Sequence, residues 1–142
     1  LREAIVEAQS LEGASIKHDV SVPVSRVPDF LRQAALAVEK TCPGTRPYAF
    51  GHVGDGNIHY NLSQPPDMTA EAYLAHEEAL HGAVHDLTHA LGGSFSAEHG
   101  VGQIKRAEVA AYKSAVDIEL MQGVKTLFDP KGIMNPGKLL PG

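Results

Sequence analysis

The stretch Gly51-His52-Val53-Gly54-Asp55-Gly56-Asn57-Ile58-His59 places a turn signal between two histidines. An Asp-Gly pair is typical of a two-residue hairpin turn, which needs positive φ at both central positions. In that register Gly54 pairs with Asn57, and His52 lies directly opposite His59. Directly opposed residues have Cβ atoms about 4.5–5.5 Å apart, so the two imidazoles can converge on one metal ion. The same register sets Asn61 on their face, opposite Phe50.

The segments around this hairpin alternate between strand and helix patterns. Period-2 alternation and helical spacing predict strands over Ile16–Val22, Tyr48–Val53, Ile58–Leu62 and Ser94–Glu98, and helices over Leu1–Gln9, Ser25–Lys40 and Thr69–Leu91. The first strand thus begins the order strand, helix, strand, strand, helix, strand. That order predicts an α+β, ferredoxin-like fold, with an antiparallel sheet and helices packed on one face. Helices over Ala107–Tyr112 and Ser114–Phe128 form a helical C-terminal tail.

Composition narrows the class of protein. The 142 residues are 43% hydrophobic, which fits one domain over 1–142 with a substantial core. The net charge of −5 argues against nucleic-acid binding. We expect no membrane-spanning segment and no export signal, because no apolar run approaches 18 residues. The single Cys42 excludes an internal disulfide and fits a reducing compartment. We therefore expect a cytoplasmic protein, or a mitochondrial matrix protein in a eukaryote.

A second motif, Ser96-Ala97-Glu98-His99-Gly100-Val101-Gly102, couples an acid to a histidine. Neighbouring residues on a strand point to opposite faces, so Glu98 and His99 should have different roles. Glu98 is a candidate third ligand, and His99 a candidate acid or base. Two histidines and one glutamate leave an open coordination position, as catalytic zinc sites require. Alternatively, Glu98 interacts with the dipole of the following helix and His99 is a loop residue.

Three further histidines recur at i, i+4 and i+8 on the predicted long helix: His81, His85 and His89. This spacing can chelate a metal. The segment from His85 to His89 also imitates the zincin motif, with Asp86 in place of the general-base glutamate. The apolar stripe of the helix runs elsewhere, so we expect these three side chains to form a polar row facing solvent. The stripe consists of Tyr73, Leu80, Ala83, Val84, Leu87 and Leu91.

Four segments together resemble the C-terminal domain of the FAD-linked oxidases of the vanillyl-alcohol oxidase superfamily, whose closest members are D-2-hydroxyglutarate, D-lactate and glycolate dehydrogenases. The segments are Lys17–Pro23, Gly51–His59, Ser96–Gly102 and Phe128–Lys138. The resemblance covers the whole chain and the segments occur in the family's order. It implies that the flavin domain lies N-terminal to this chain and is absent from it, so the chain would be a fragment.

The resemblance also implies roles for individual residues. A divalent metal, usually zinc, would be bound by His52, His59 and Glu98. His99 would contact the substrate and act as the base. Other substrate-binding residues would be Asn61 and two basic residues for the substrate carboxylate, Lys17 and Arg2; solvated surface charge is the alternative for both basic residues.

The implied activity is that of a flavin-dependent dehydrogenase oxidising a D-2-hydroxy acid to a 2-oxo acid, with FAD as hydride acceptor. The implied partners are the flavin domain of the same polypeptide, an unidentified electron acceptor and a possible second copy in a homodimer. Val6 and His18 depart from the family's threonine and tyrosine, which leaves the identity of the acid open. Two other classes remain: a non-catalytic ferredoxin-like metal-binding or regulatory module, and a metal-dependent hydrolase.

Overall fold

The computed structural model describes residues 12–140. They belong to two compact units, Leu1–Glu98 and His99–Gly142. The predicted helix over Leu1–Gln9, and with it Arg2 and Val6, lies outside the described residues. Helices and an antiparallel sheet are both present, so the predicted α+β class is confirmed.

The first unit contains a three-stranded antiparallel sheet. Its strands are β1 (Ser15–Ser21), β2 (Arg46–Phe50) and β3 (Asn57–Ser63), in the order β1-β3-β2. Its helices are α1 (Val27–Thr41), α2 (Ala70–Leu74) and α3 (Glu77–Ala90), with a short 3-10 turn, Val24–Arg26, leading into α1. The predicted strand over Ile16–Val22 and the predicted helix over Ser25–Lys40 are confirmed as β1 and α1. Pro28 lies in the first turn of α1, where its missing N–H costs no helical hydrogen bond.

Alternation along the strands divides the sheet into an apolar face and a polar face. The apolar face and the helices above it form one core, with Ile16, Val20, Ile58, Tyr60 and Leu62 from the strands and Phe30, Ala34, Val38, Leu80 and Val84 from α1 and α3. The helices therefore lie on one face, as predicted. Burial raises the pKa of the Tyr60 hydroxyl to about 12, so this side chain stays neutral. The polar face of the sheet does not contribute to this core.

The predicted fourth strand is reduced to a single bridge to β1. Ser94 and Ser21 exchange two backbone hydrogen bonds of 2.9 and 2.8 Å. The strand does not continue, because the Ser94 hydroxyl donates to the carbonyl of Ser96 (3.0 Å) and accepts its N–H (3.4 Å). Such local side-chain bonds compete with a β-ladder. The prediction of a strand over Ser94–Glu98 is therefore wrong beyond its first residue.

The predicted long helix is two helices, α2 and α3, separated by Ala75 and His76. Its start is as predicted, since the Thr69 hydroxyl accepts the N–H of Ala72 (3.3 Å) as an N-cap. Its end is also as predicted, because Gly92 adopts a positive φ of 75° just after α3.

The second unit contains α4 (Arg106–Tyr112) and α5 (Ala115–Phe128), close to the predicted bounds. Ser114 begins α5 through a capping box with Asp117. After α5, the Asp129 carboxylate accepts a hydrogen bond from Lys125 and two from backbone N–H groups, which lower its pKa. None of the helices in residues 12–140 combines the length and hydrophobicity needed to cross a bilayer.

Candidate metal and substrate site

The connection between β2 and β3 differs from the predicted two-residue hairpin. Strand β2 ends at Phe50, which pairs with His59, and Tyr48 pairs with Asn61. His52 lies beyond the ladder. The predicted pairing of His52 with His59, and of Phe50 with Asn61, is therefore wrong by two residues. Asn61 nevertheless shares a face with His59, because the two residues lie two positions apart on the same strand.

A 3-10 turn over Val53–Asp55 closes this loop. The carbonyl of His52 accepts the N–H groups of both Asp55 and Asn57, each at 3.2 Å. Gly56 follows at φ 79°, and a Cβ there would lie only 1.9 Å from the carbonyl oxygen of Val22. Only glycine fits this left-handed position. The loop is thus fixed at both ends, and His52 is held at its start.

Glu98 joins the two loop histidines. Its Oε1 lies 2.8 Å from Nδ1 of His52, and its Oε2 lies 3.4 Å from Nε2 of His59. The carboxylate therefore lies between two imidazoles that come from different ends of the loop. His52 and Glu98 are 44% and 42% exposed, so a small ligand can reach them, whereas His59 is more enclosed. Each of the two predicted histidine ligands thus contacts the predicted carboxylate ligand.

Asp19 is a further member of this site, and the sequence motifs did not predict its role. It pairs with His59 across β1 and β3 and is only 3% exposed. Its Oδ2 accepts the backbone N–H of Glu98 (2.9 Å), and its Oδ1 accepts the side-chain amide of Asn57 (3.2 Å). Oxygen and nitrogen donors of Asp19, His59 and Glu98 lie within 4.8 Å of one another. Period-2 alternation on β1 was the signal that could have found it.

Lys17 and Asn61 occupy the next row of the same face, where they pair across β1 and β3. Lys17 is exposed and Asn61 is buried. Two residues along a strand span about 7 Å. The ammonium group of Lys17 and the amide of Asn61 therefore start from a row about 7 Å from that of Asp19 and His59, which is about the length of a small organic acid. His99 is exposed and is the first residue of the second unit; its role stays a prediction, as does that of Arg2.

The predicted solvent-facing row of histidines on α3 is wrong for His85 and partly wrong for His81. His85 is 3% exposed and the His81 side chain 30% exposed, while His89 is exposed as predicted. The cause is the packing of α3 against β1, where His18 lies on the helix side of the sheet. The rings of His18 and His81 have centroids 4.6 Å apart. The helix therefore buries more than its apolar stripe.

The sequence is similar to that of a known family over almost its whole length. The family described as "FAD linked oxidases, C-terminal domain" matches residues 1–139. The chain is 40% identical over 139 residues to D-2-hydroxyglutarate dehydrogenase of Stutzerimonas stutzeri, covering 98% of this chain and 30% of the relative. It is 40% identical over 145 residues to the mitochondrial D-2-hydroxyglutarate dehydrogenase of Rattus norvegicus, covering 99% of this chain and 25% of the relative. The chain thus spans less than a third of these relatives.

Proposed function

The chain belongs to the C-terminal domain family of the FAD-linked oxidases, and on that premise we propose that it is the substrate- and metal-binding part of a flavin-dependent dehydrogenase. The reaction is oxidation of a D-2-hydroxy acid to a 2-oxo acid. The relatives named above support this class of substrate. The observation that carries the proposal is the carboxylate of Glu98 between His52 and His59, on the face that also presents Lys17.

The donor set fits a divalent metal. Two imidazole nitrogens and a carboxylate form a combination that binds zinc and leaves a coordination position open. His52, His59 and Glu98 would hold the ion, which we propose to be zinc. Asp19 would act as a positioning residue, because its two oxygens fix the backbone of Glu98 and the side chain of Asn57. Partners of this kind orient metal ligands and raise affinity for the ion.

The remaining residues bind and orient the acid. Lys17 would attract a carboxylate of the substrate, and Asn61 would hydrogen-bond to it from the opposed strand. This places the hydroxyl-bearing carbon in the row of His59. His99 would accept the hydroxyl proton as a general base. A divalent ion, when bound, supplies Lewis-acid chemistry that makes such a proton easier to remove.

The flavin would be bound mainly by a further part of a longer polypeptide. The sheet within residues 12–98 is antiparallel throughout, so it offers no parallel βαβ unit of the kind that holds dinucleotides, and we assign none of its residues to FAD. The second unit supports the existence of such a partner. Helix α5 exposes a row of apolar side chains that a neighbouring domain would cover: Val116, Leu120, Val124, Leu127 and Phe128.

Metal analysis of purified chains tests the ligand assignment. We expect His52→Ala to lose one equivalent of divalent metal relative to the parent chain, because one of three ligands is removed. His89→Ala is the matched control, since His89 is exposed and lies outside the site. Plasma mass spectrometry after gel filtration measures both. Equal metal content in His52→Ala and His89→Ala would contradict the assignment.

Activity requires the chain joined to its flavin-binding part, with reduction of the bound flavin by D-2-hydroxy acids as the assay. We expect His99→Ala to slow flavin reduction by about 10²–10⁴-fold while keeping the metal, and His52→Ala to lose both. Metal binding without any flavin reduction by such acids would instead favour a non-catalytic metal-binding module. Turnover by the 142-residue chain alone would favour a hydrolase.

A further inference from the structure

We propose a second transition-metal site, formed by the histidine cluster His18, His81 and His85. It lies on the helix side of the sheet, opposite the face that carries Asp19 and His59. His18 comes from β1, and the other two come from α3. One nitrogen from each ring lies within 4.8 Å of the others. The proposed occupant is a divalent ion that prefers imidazole ligands, tested below as Zn²⁺.

The ring positions suit a common ligand. The centroid of His18 lies 4.6 Å from that of His81 and 5.5 Å from that of His85, and the latter two are 5.4 Å apart. A tetrahedral ion bound at about 2.0–2.1 Å holds its nitrogens about 3.3–3.4 Å apart. Side-chain rotations that move each nitrogen by about 1 Å would therefore complete the site. His81 and His85 are four residues apart on one helix, which is a chelating spacing.

The tautomer of His18 is the one that metal binding requires. Its Nδ1 lies 2.8 Å from the carbonyl oxygen of Tyr60. A carbonyl only accepts hydrogen bonds, so Nδ1 carries the proton and Nε2 carries the lone pair. Metal-bound histidines commonly have this arrangement, with the second ring nitrogen donating to a backbone carbonyl. The β3 backbone thus orients His18 as a ligand.

The surroundings combine enclosure with a route of entry. His18 and His85 are 2% and 3% exposed, and the ring of Phe95 packs 5.9 Å from that of His85. The His81 side chain is 30% exposed, so an ion can enter beside it. Its Nδ1 is nevertheless buried and has no hydrogen-bond partner among residues 12–140. A metal ion or an ordered water can satisfy a buried imidazole nitrogen of this kind.

Glu77 adds a negative charge at the entrance. It precedes His81 by one helical turn, and its Oε1 lies 3.7 Å from Nε2 of His81. A carboxylate there offsets the charge of a divalent cation, and water can supply the fourth ligand. Three histidines with an oxygen ligand suit zinc, copper or nickel better than magnesium or calcium. An ion in this position would join strand β1 to helix α3.

The test uses the whole chain with the first site removed by His52→Ala and Glu98→Gln. Both side chains are more than 40% exposed, so the fold should tolerate the changes. His81→Ala is then added to one sample and His89→Ala to another as the matched control on the same helix. Zn²⁺ affinity is measured by competition with a chromogenic chelator. Thermal unfolding is measured with and without Zn²⁺.

We expect the background protein and the His89→Ala variant to bind one equivalent of Zn²⁺ and to gain about 5 °C or more in Tm at 100-fold excess over Kd. His81→Ala should weaken binding by 100-fold or more and abolish the gain. Absence of stoichiometric binding in the background protein would overturn the proposal, as would equal behaviour of the two variants. Neither outcome depends on the first site.

A second measurement needs no change at the cluster. Long-range ¹H–¹⁵N spectra of the background protein report the state of each imidazole nitrogen. Zn²⁺ should shift Nε2 of His18 while its Nδ1 keeps the proton that is donated to Tyr60. Shifts confined to His89 or other exposed histidines would show adventitious surface binding and would also overturn the proposal.

Discussion

Replacing Asp19 with asparagine tests how the first site is built. The carboxylate is 3% exposed and accepts two hydrogen bonds, one from the backbone N–H of Glu98 and one from the amide of Asn57. Asparagine keeps the shape but offers one oxygen and one NH₂ group. The amide oxygen of asparagine can still accept the backbone N–H of Glu98, and its NH₂ group can donate to Asn57 when the Asn57 amide turns its oxygen toward it. Asp19→Asn therefore replaces two charge-assisted bonds by neutral ones without leaving a cavity.

The expected cost follows from these two contacts. A hydrogen bond to a charged group contributes about 1.5–3 kcal/mol and a neutral one about 0.5–1.5 kcal/mol, so each of the two bonds loses about 1 kcal/mol. We expect the free energy of unfolding to fall by about 2 kcal/mol. The second effect concerns the metal, because the weakened bond holds the backbone N–H of Glu98. Changes to partners of this kind reduce metal affinity by about 10–100-fold.

Urea unfolding followed by circular dichroism measures the first effect, and chelator competition measures the second. Asp67→Asn is the control, since Asp67 is exposed and the change in charge is the same; it should alter stability by less than about 0.5 kcal/mol. If Asp19→Asn matched Asp67→Asn in both stability and metal affinity, the positioning role would be refuted.

The remaining predictions concern the second unit. In the full polypeptide, Phe128→Asp should weaken the association with the flavin-binding part. The Tm of the 142-residue chain should stay unchanged, because Phe128 is 75% exposed. Leu36→Asp, at a similarly exposed position, is the control, and equal flavin retention in the two variants would argue against this interface. Asp129 has a pKa lowered by its hydrogen bond from Lys125, so its contribution to stability is present above the ordinary carboxyl pKa of about 3.9 and is lost as pH falls through the folded value. Asp129→Asn should flatten the stability profile in that acidic window, and an unchanged profile from pH 5 to 2 would contradict the assignment.

Local signals predicted those elements that depend on local physics. Strand β1 and helix α1 follow from periodicity, and the caps at Thr69 and Ser114 follow from side chains that satisfy their own helix ends. The break between α2 and α3 carries no glycine or proline, so no local signal marks it. It is a property of how these helices pack.

The sequence named residues of the candidate site that lie in contact, but it predicted the wrong loop geometry between them. The Asp-Gly signal favoured a two-residue turn, yet Gly56 lies against the backbone of Val22, and its carbonyl accepts the N–H of Val22 (3.1 Å). That tertiary contact selects a longer loop. Glu98 nevertheless contacts both His52 and His59. The apolar stripe predicted which face of α3 is buried but not the full width of that face, since the burial of His85 depends on His18.

Neighbouring residues of β1 serve opposite sides of the sheet: Asp19 contributes to the first site and His18 to the histidine cluster. Insertion or deletion of a single residue upstream within this strand would exchange their faces, because side chains alternate with period two. Such an event would move a carboxylate into the core and remove both clusters at once. The length of β1 is therefore a requirement that both clusters share, in addition to the identity of the residues in it.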